Sequence, residues 1–257
     1  MFSVQALPVT SSTASSTSAT LRLHRILCYG DSLTAGTSGM NLYPYAQFLE
    51  QGLKKARPDM ESNFVVRHRG MPGWTAQYML DEALNDPKTG LLSAIQSVKD
   101  PPLSLVIILA GTNDLGYGMS EEEITESVLG LHKVAWENGV ARTIAIAIPP
   151  SGYQNVNEQA RKTVKAINTN LEKACSSTDK AVFVPFPFDY EEGGENWFPD
   201  TLHFSERGYQ ALGESLVPVV LSALDKIERQ GSWDRLHKRL HCLPKESTKG
   251  NVQMKMS

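Results

Sequence analysis

The sequence has few cysteines, no long apolar run and no large excess of either charge. Its three cysteines, Cys28, Cys175 and Cys242, cannot form a disulfide framework, which favours a reducing compartment. The longest apolar runs, such as 105–110, are far shorter than the roughly 20 residues of a membrane helix. With 25 basic and 28 acidic residues, the chain has no global positive field that would attract nucleic acid. Membrane-spanning and disulfide-scaffold proteins are therefore excluded, and no nucleic-acid partner is expected.

The two ends of the chain differ in composition from its middle. Nine of the eleven residues at 10–20 are Ser or Thr, and no acidic residue precedes Asp31. We therefore expect a disordered tail over 1–20. We expect a cytoplasmic location. The same start is also compatible with an organelle transit peptide, so organelle targeting is the alternative. Residues 231–257 hold six Lys or Arg and two Asp or Glu, which predicts a basic tail with one short helix near its start. Residues 21–230 remain as a single domain.

Five short apolar runs alternate with helical patterns inside this domain. Branched side chains dominate each run, and turn residues bound it, as is typical of buried parallel strands. Ser120 and Glu123 have capping-box spacing, and a last helix should begin at Ser205, with a kink at Pro218. The alternation predicts an α/β fold, in which helices cover both faces of a five-stranded, mostly parallel sheet. The expected strands are 25–29, 63–68, 104–110, 142–148 and 181–185.

Ligands of open parallel sheets bind at the carboxyl ends of the strands, so the residues that follow each strand are the candidates for chemistry. Four segments qualify. Three follow directly on the first three strands, and the fourth lies between the fifth strand and the last helix. They are Gly-Asp-Ser-Leu-Thr at 30–34, Gly-Met-Pro-Gly-Trp-Thr at 70–75, Gly-Thr-Asn-Asp at 111–114 and Asp-Thr-Leu-His at 200–203.

Acyl transfer to water needs a nucleophile, a base, a group that orients the base, and donors for the oxyanion. Ser32 follows a strand and a glycine, where a tight turn can present its hydroxyl. His203 can serve as the base, and Asp200, three residues earlier, can hold its imidazole. Gly73 offers a backbone N–H and Asn113 a side-chain amide, which with the Ser32 N–H would make a three-donor oxyanion hole.

Together, Gly-Asp-Ser-Leu at 30–33, Gly73, Gly-Thr-Asn-Asp at 111–114 and Asp-x-x-His at 200–203 resemble the SGNH hydrolases, the GDSL family of lipases and esterases. The resemblance covers roughly residues 25–224. It implies a flavodoxin-like three-layer α/β/α sandwich and a serine esterase that acts on small-molecule carboxylic esters without a cofactor or metal. The common Gly-x-Ser-x-Gly elbow of other hydrolases is not matched.

The resemblance also implies a role for each matching residue. Ser32 would be the nucleophile, Asp200 and His203 would complete a catalytic triad, and Gly73 and Asn113 would join Ser32 in the oxyanion hole. The sequence departs from the family pattern at His68 and Pro72, where an Asn and a small residue are usual. This departure puts the shape of the loop around Gly73 in question.

Aromatic residues beside these motifs are candidates for the substrate pocket, with core packing as the alternative for each. They are Trp74, Tyr117, Trp197 and Phe198. The same machinery could serve an acetyl-carbohydrate esterase, a thioesterase or an acyltransferase, and a non-catalytic binding protein of the same fold is a remote alternative. A metal site at His237, His241 and Cys242 would lack a fourth ligand, so none is expected. The sequence leaves the oligomeric state open.

Overall fold

Apolar strands and amphipathic helices alternate in the computed structural model, which describes residues 23–58 and 64–241, with side chains described up to 231. The strands in these ranges agree with the five apolar runs and add two short ones. They are β1 (His24–Gly30), β2 (Thr37–Ser38), β3 (Asn41–Leu42), β4 (Phe64–Gly70), β5 (Leu105–Leu109), β6 (Arg142–Ile146) and β7 (Ala181–Val184).

The helices of the described ranges vary in length from a single turn to a long final helix. The short ones follow strands directly, and the long ones form the outer layers. They are α1 (Ser32–Ala35), α2 (Tyr45–Ala56), α3 (Ala76–Asp81), α4 (Leu91–Gln96), α5 (Thr112–Gly116), α6 (Glu121–Glu137), α7 (Gly152–Val156), α8 (Glu158–Ser176) and α9 (Glu206–His241).

The main sheet has the strand order β4-β1-β5-β6-β7, and every neighbouring pair is parallel. β2 and β3 form a separate antiparallel pair. From β1 the chain first adds β4 on one side and then crosses over to add β5 on the other. Such a reversal leaves a crevice at the carboxyl end of β1, which is where open α/β sheets bind ligands. The carboxyl end of β1 is therefore the position to search for a site.

Two apolar layers enclose the sheet because successive side chains of each strand point to opposite faces. On one face, Ile26 and Cys28 of β1 pack with α2 and α9, whose Leu49 and Leu216 are fully buried. On the other face, Leu27 packs with α3, α4, α6 and α8. The arrangement is a three-layer α/β/α sandwich, as the sequence predicts.

Helix ends follow the local signals of the sequence. Ser120 and Glu123 form a complete capping box at the start of α6, an arrangement that typically stabilises a helix by about 1 kcal/mol. Thr75 caps α3 by accepting from the N–H of Tyr78. α9 begins after Ser205 and continues through Pro218 to His241, so its backbone extends past the expected domain boundary at 230.

Some expectations concern residues outside the described ranges or stay untested. The Ser/Thr-rich segment 1–20 and the chain from 242 onward lie outside the described residues, as do the side chains of His237 and His241. The kink at Pro218 remains a prediction. In the ranges 23–58 and 64–241, no helix is long and apolar enough to cross a membrane.

Candidate active site

The carboxyl ends of three adjacent strands are aligned at one edge of the sheet. Gly30 of β1 is in register with Gly70 of β4 and with Leu109 of β5, and the Met71 N–H donates to the Gly30 carbonyl at 2.8 Å. The loops that follow these strands therefore start side by side. Gly30 is required here, because a Cβ atom would lie 1.9 Å from the Leu109 oxygen.

A single helical turn holds Ser32 just after the end of β1. Asp31 caps α1, and its Oδ1 accepts from the N–H of Leu33 at 2.9 Å. Gly36 ends the turn with a φ of 83°, the left-handed conformation that glycine adopts without strain. Ser32 is the first residue of α1, so its N–H has no acceptor in a preceding turn. Both the hydroxyl and the N–H of Ser32 are thus held at this edge.

The hydroxyl of Ser32 meets the imidazole of His203 there. Nε2 of His203 lies 2.9 Å from Oγ of Ser32, and Nδ1 lies 2.7 Å from Oδ2 of Asp200. The structure therefore brings together the three residues of the first and last motifs in one hydrogen-bonded chain. Such a chain can move a proton from a hydroxyl to an imidazole while a carboxylate stabilises the resulting cation.

The charge of Asp200 fixes the tautomer of His203. Burial raises the pKa of the Asp200 carboxyl, but hydrogen bonds from the N–H and the ring of His203 and from the N–H of Leu202 outweigh it, so the pKa is lowered. An ionised carboxylate only accepts hydrogen bonds, which puts the proton of a neutral imidazole on Nδ1. Nε2 then carries the lone pair and accepts from the Ser32 hydroxyl.

A constrained turn presents Asp200 and His203 in this geometry. Thr201 has a φ of 67°, a left-handed conformation that is unusual for a β-branched residue. The turn is held on two sides, because the Gly152 N–H donates to the Thr201 carbonyl and the Phe198 N–H donates to the His203 carbonyl, both at 2.9 Å. A Cβ on Gly152 would lie 2.6 Å from Cβ of Thr201, so only glycine allows this approach.

A cluster of aromatic side chains packs against this turn. Trp197 and Phe204 pair across it, their ring centroids are 5.1 Å apart, and Phe188 and Tyr209 pack edge-on against Phe204. The Trp197 side chain is 6% exposed and donates its indole N–H to the Asp189 carbonyl. The structure thus places Trp197 in the core, where it packs against other rings, and we leave it out of the proposed pocket.

Two adjacent residues after β5 bind the loop after β4. The Asn113 side-chain amide donates to the Trp74 carbonyl at 2.8 Å. The buried Asp114 accepts from the N–H of Ala76 at 2.8 Å and from that of Gln77 at 3.4 Å, so it binds the first turn of α3. Burial raises the pKa of Asp114 against these hydrogen bonds. The Gly-Thr-Asn-Asp segment therefore sets the position of the segment around Gly73.

Gly73 has the conformation and the space that a donor to a ligand needs. Its φ is 81°, and no heavy atom lies within 4 Å of the position that a Cβ would take. Among the hydrogen bonds of residues 23–58 and 64–241, none uses the Gly73 N–H. With His68 and Pro72 in this segment, the Gly73 N–H thus has no partner among the described residues, and Asn113 retains one amide hydrogen beyond its bond to Trp74.

A buried carboxyl beside Ser32 is a feature that the sequence patterns do not indicate. Asp31 is completely buried and only its Oδ1 has a hydrogen-bond partner, and burial raises its pKa to about 7. Thr34 of α1 and Tyr45 of α2, which are also fully buried, lie in the same polar cluster. Gly-Asp-Ser reads as an ordinary turn in sequence, so nothing in it signals that the carboxyl lacks solvent.

The other aromatic candidates lie on loops of the same edge. The Trp74 ring packs on Tyr78 with a centroid distance of 4.4 Å, and Tyr117 is 76% exposed at the end of α5. The Phe198 ring packs on Gly39 in the loop between β2 and β3. Among the described side chains, no group of three His, Cys, Asp or Glu is close enough to hold a metal ion.

Comparison with known proteins shows the family and the fold of the chain. A sequence model of the GDSL-like lipase/acylhydrolase family matches residues 28–211. A carbohydrate acetylesterase family member from Sinorhizobium meliloti has a TM-score of 0.60 and 18% identity, over 79% of this chain and 100% of that one. A family 3 carbohydrate esterase from Clostridium thermocellum gives 0.61 and 16%, over 80% and 99%. A lipase from a goat rumen metagenome gives 0.58 and 19%, over 75% and 95%.

The family match spans more than half of the sequence, so the chain belongs to the GDSL-like lipase/acylhydrolase family. Membership makes it a hydrolase that acts on esters. The solved structures share less than a quarter of their residues with this chain, so they establish the fold alone. No curated protein matches the sequence.

Proposed function

We propose that the protein is a serine esterase in which Ser32 is the nucleophile, His203 the general base and Asp200 the residue that orients it. The observation that carries the proposal is the hydrogen-bonded chain from Asp200 through His203 to Ser32, with distances of 2.7 and 2.9 Å. It lies at the carboxyl end of β1, where the topology of the sheet favours a ligand site.

The proposed reaction has two halves. In the first, the Ser32 oxygen forms a bond to the ester carbonyl carbon, its proton moves to Nε2 of His203, and the carbonyl electron pair moves to oxygen. The tetrahedral intermediate then collapses, and the alcohol leaves with the proton from His203. In the second half a water gives its proton to His203 and attacks the acyl group, and the Ser32 oxygen recovers the proton as the acid departs.

Three donors are proposed to stabilise the oxyanion of each intermediate: the N–H groups of Ser32 and Gly73 and the amide of Asn113. The free N–H and positive φ of Gly73 support its role, as does the anchoring of Asn113 to Trp74. Removal of one such donor typically lowers kcat about 100- to 1,000-fold. Trp74, Tyr117 and Phe198 are the proposed walls of the substrate pocket.

Turnover of p-nitrophenyl acetate by matched serine variants tests the proposal. Ser32→Ala removes the nucleophile and should lower kcat by about 1,000-fold or more. Ser38→Ala changes another buried serine, in β2 just after α1, and its kcat should stay within a few-fold of the parent. Circular dichroism should report the same fold for both. If Ser32→Ala kept most of its activity, the assignment of the nucleophile would be wrong.

Acetylated carbohydrate is the second candidate substrate class. Two of the solved structures described above carry carbohydrate esterase or acetylesterase in their names, although at this identity they share only the fold. Comparing kcat/KM for an acetylated oligosaccharide with that for p-nitrophenyl acetate and for longer acyl esters would separate this class from lipid esters. Product analysis in the presence of competing alcohols would separate hydrolysis from acyl transfer.

A further inference from the structure

Three arginines lie on a face of the sheet that helices cover. Arg25 of β1 and Arg67 and Arg69 of β4 occupy alternate positions on the same side as Leu27 and Val65, because Arg25 is in register with Val65 and Leu27 with Arg67. β4 is the edge strand of the sheet, and the helices leave this end of the face partly open. Arg67 is exposed, whereas Arg25 and Arg69 are half-buried.

A cavity of about 510 Å³ lies over these arginines, between the two strands and the end of α4. Its apolar wall includes Leu27, Val65 and Val98, and all three arginines line it. α3 and α4 have only six residues each, so the helical layer on this face leaves room beside β4. The volume lies within the range of about 300–1,000 Å³ that is usual for small-molecule sites.

Each of the three arginines donates a hydrogen bond to a backbone carbonyl. Arg25 donates to the Asp100 carbonyl at 3.3 Å, and Arg69 donates to the Gly90 carbonyl at 3.0 Å. Arg67 donates to the carbonyl of its neighbour in β4 at 3.3 Å.

Among the described side chains, one ion pair involves these arginines: Glu50 lies 3.8 Å from Arg67 and also binds Lys54 at 2.6 Å. Lys54 thus offsets the one described carboxylate that pairs with the group. Among the side chains of 23–58 and 64–231, the charge that lines the cavity is therefore positive.

We infer that this cavity binds an anionic amphiphile: one carboxylate or phosphate group on a short alkyl body. A guanidinium group pairs with either headgroup through two parallel hydrogen bonds, and each arginine has donors left after its bond to the backbone. The apolar wall removes the alkyl body from water. The cavity shares no residue with the proposed catalytic edge, so the inference does not rest on the proposed esterase activity.

Arginine on an edge strand has a competing explanation, because charged side chains there discourage pairing with another chain. Such protection needs no ligand. Calorimetric titration of the full chain with octanoate, octyl phosphate, octanol and inorganic phosphate separates the two explanations. Octanoate or octyl phosphate should bind at least tenfold more tightly than octanol and than inorganic phosphate, and the tighter of the two identifies the headgroup. The inference would be overturned if octanol bound with the same affinity as octanoate and octyl phosphate.

Two variants locate the site. Arg67→Gln with Arg69→Gln should weaken binding of the anion at least tenfold, whereas Arg207→Gln with Arg229→Gln, which removes equal charge from exposed positions of α9, should not. Ser97→Trp fills the exposed rim of the cavity without a change of charge, and it should also weaken binding. p-Nitrophenyl acetate turnover should stay at the parental level in all of them. Unchanged affinity in the Arg67/Arg69 variant and in Ser97→Trp would show that the anion binds elsewhere and contradict the inference.

Discussion

Nε2 of His203 lies 2.9 Å from Oγ of Ser32, although 171 positions separate the two residues in the chain. Ser32 is held by a single helical turn after β1, and His203 by a strained turn just before α9. Two turns that are distant in sequence therefore form one hydrogen-bonded pair, which is the proposed proton-transfer pair.

Asp200→Asn tests the orientation of the base. The amide is nearly the same size but presents an N–H₂ group where the carboxylate accepts from Nδ1, so the imidazole would favour the wrong tautomer. We expect kcat to fall by about 100- to 10,000-fold with little change of fold. Glu191→Gln, an exposed acid in the same loop, serves as the control and should keep its activity. A kcat for Asp200→Asn within threefold of the parent would remove Asp200 from the account.

Asn113→Ala tests the oxyanion donor on the loop after β5. The loss of one donor to the transition state should lower kcat by about 100-fold or more and change KM much less. Because Asn113 also donates to the Trp74 carbonyl, the melting temperature must be measured in parallel. An unchanged kcat in a folded variant would exclude Asn113 from the oxyanion hole.

Much of the candidate site could be predicted because both the strands and the reactive residues that follow them can be recognised in the sequence. Buried parallel strands appear as apolar runs, and the residues just after them, such as Ser32 and Asn113, fall at the edge where the topology favours a ligand. The capping box at Ser120 and Glu123 is a local signal, and the structure confirms it. Features of this kind depend on neighbours in sequence, or on the sheet that the strands must form.

Other features depend on contacts between distant segments, which no local pattern records. The bonds of Asp114 to the first turn of α3 and the isolation of the Asp31 carboxyl follow from packing after folding. Trp197 lies beside a motif in sequence but packs into the core, because its ring fits against Phe204. The two-residue strands of the hairpin after α1 are too short to show a period.

Asp31→Asn should stabilise the protein in a pH-dependent way. The pKa of Asp31 is raised to about 7 by burial, so the folded state favours the protonated carboxyl. The protonated Asp31 carboxyl therefore makes its full contribution to the free energy of unfolding below the ordinary pKa of about 4. This contribution, roughly 3–4 kcal/mol, is lost as the pH rises to 7.

Asn cannot ionise, so the variant should be more stable than the parent at pH 8 and similar to it near pH 4. Urea unfolding of both proteins at the two pH values measures this. Asp179→Asn, at an exposed position, should show no such trend. A gain of the same size at both pH values would show that ionisation of Asp31 is not its cause.

His132 should make the protein less stable in acid. It is completely buried, its Nδ1 lies 2.7 Å from the Thr143 hydroxyl, and burial lowers its pKa to about 4. Because the pKa is lowered in the folded state, the unfolded chain binds the proton at a higher pH than the folded protein does. The contribution of His132 to the free energy of unfolding is therefore complete above its ordinary pKa of about 6.5. It should fall by roughly 3 kcal/mol as the pH drops to 4.

The same unfolding experiment with His132→Gln tests this contribution. The glutamine does not titrate, so the variant should lose less stability between pH 7 and pH 4 than the parent does, whatever its stability at pH 7. An equal loss in the two proteins would mean that other groups account for the acid sensitivity.

Active-site labelling tests the central claim most directly. The full chain is treated with a fluorophosphonate, which reacts with an activated serine hydroxyl, and the modified residue is found by peptide mass spectrometry. The account predicts one adduct, on Ser32, together with loss of p-nitrophenyl acetate turnover, and a labelling rate that is at least 100-fold lower in His203→Ala. An adduct on a different serine, or turnover that survives complete modification of Ser32, would contradict it.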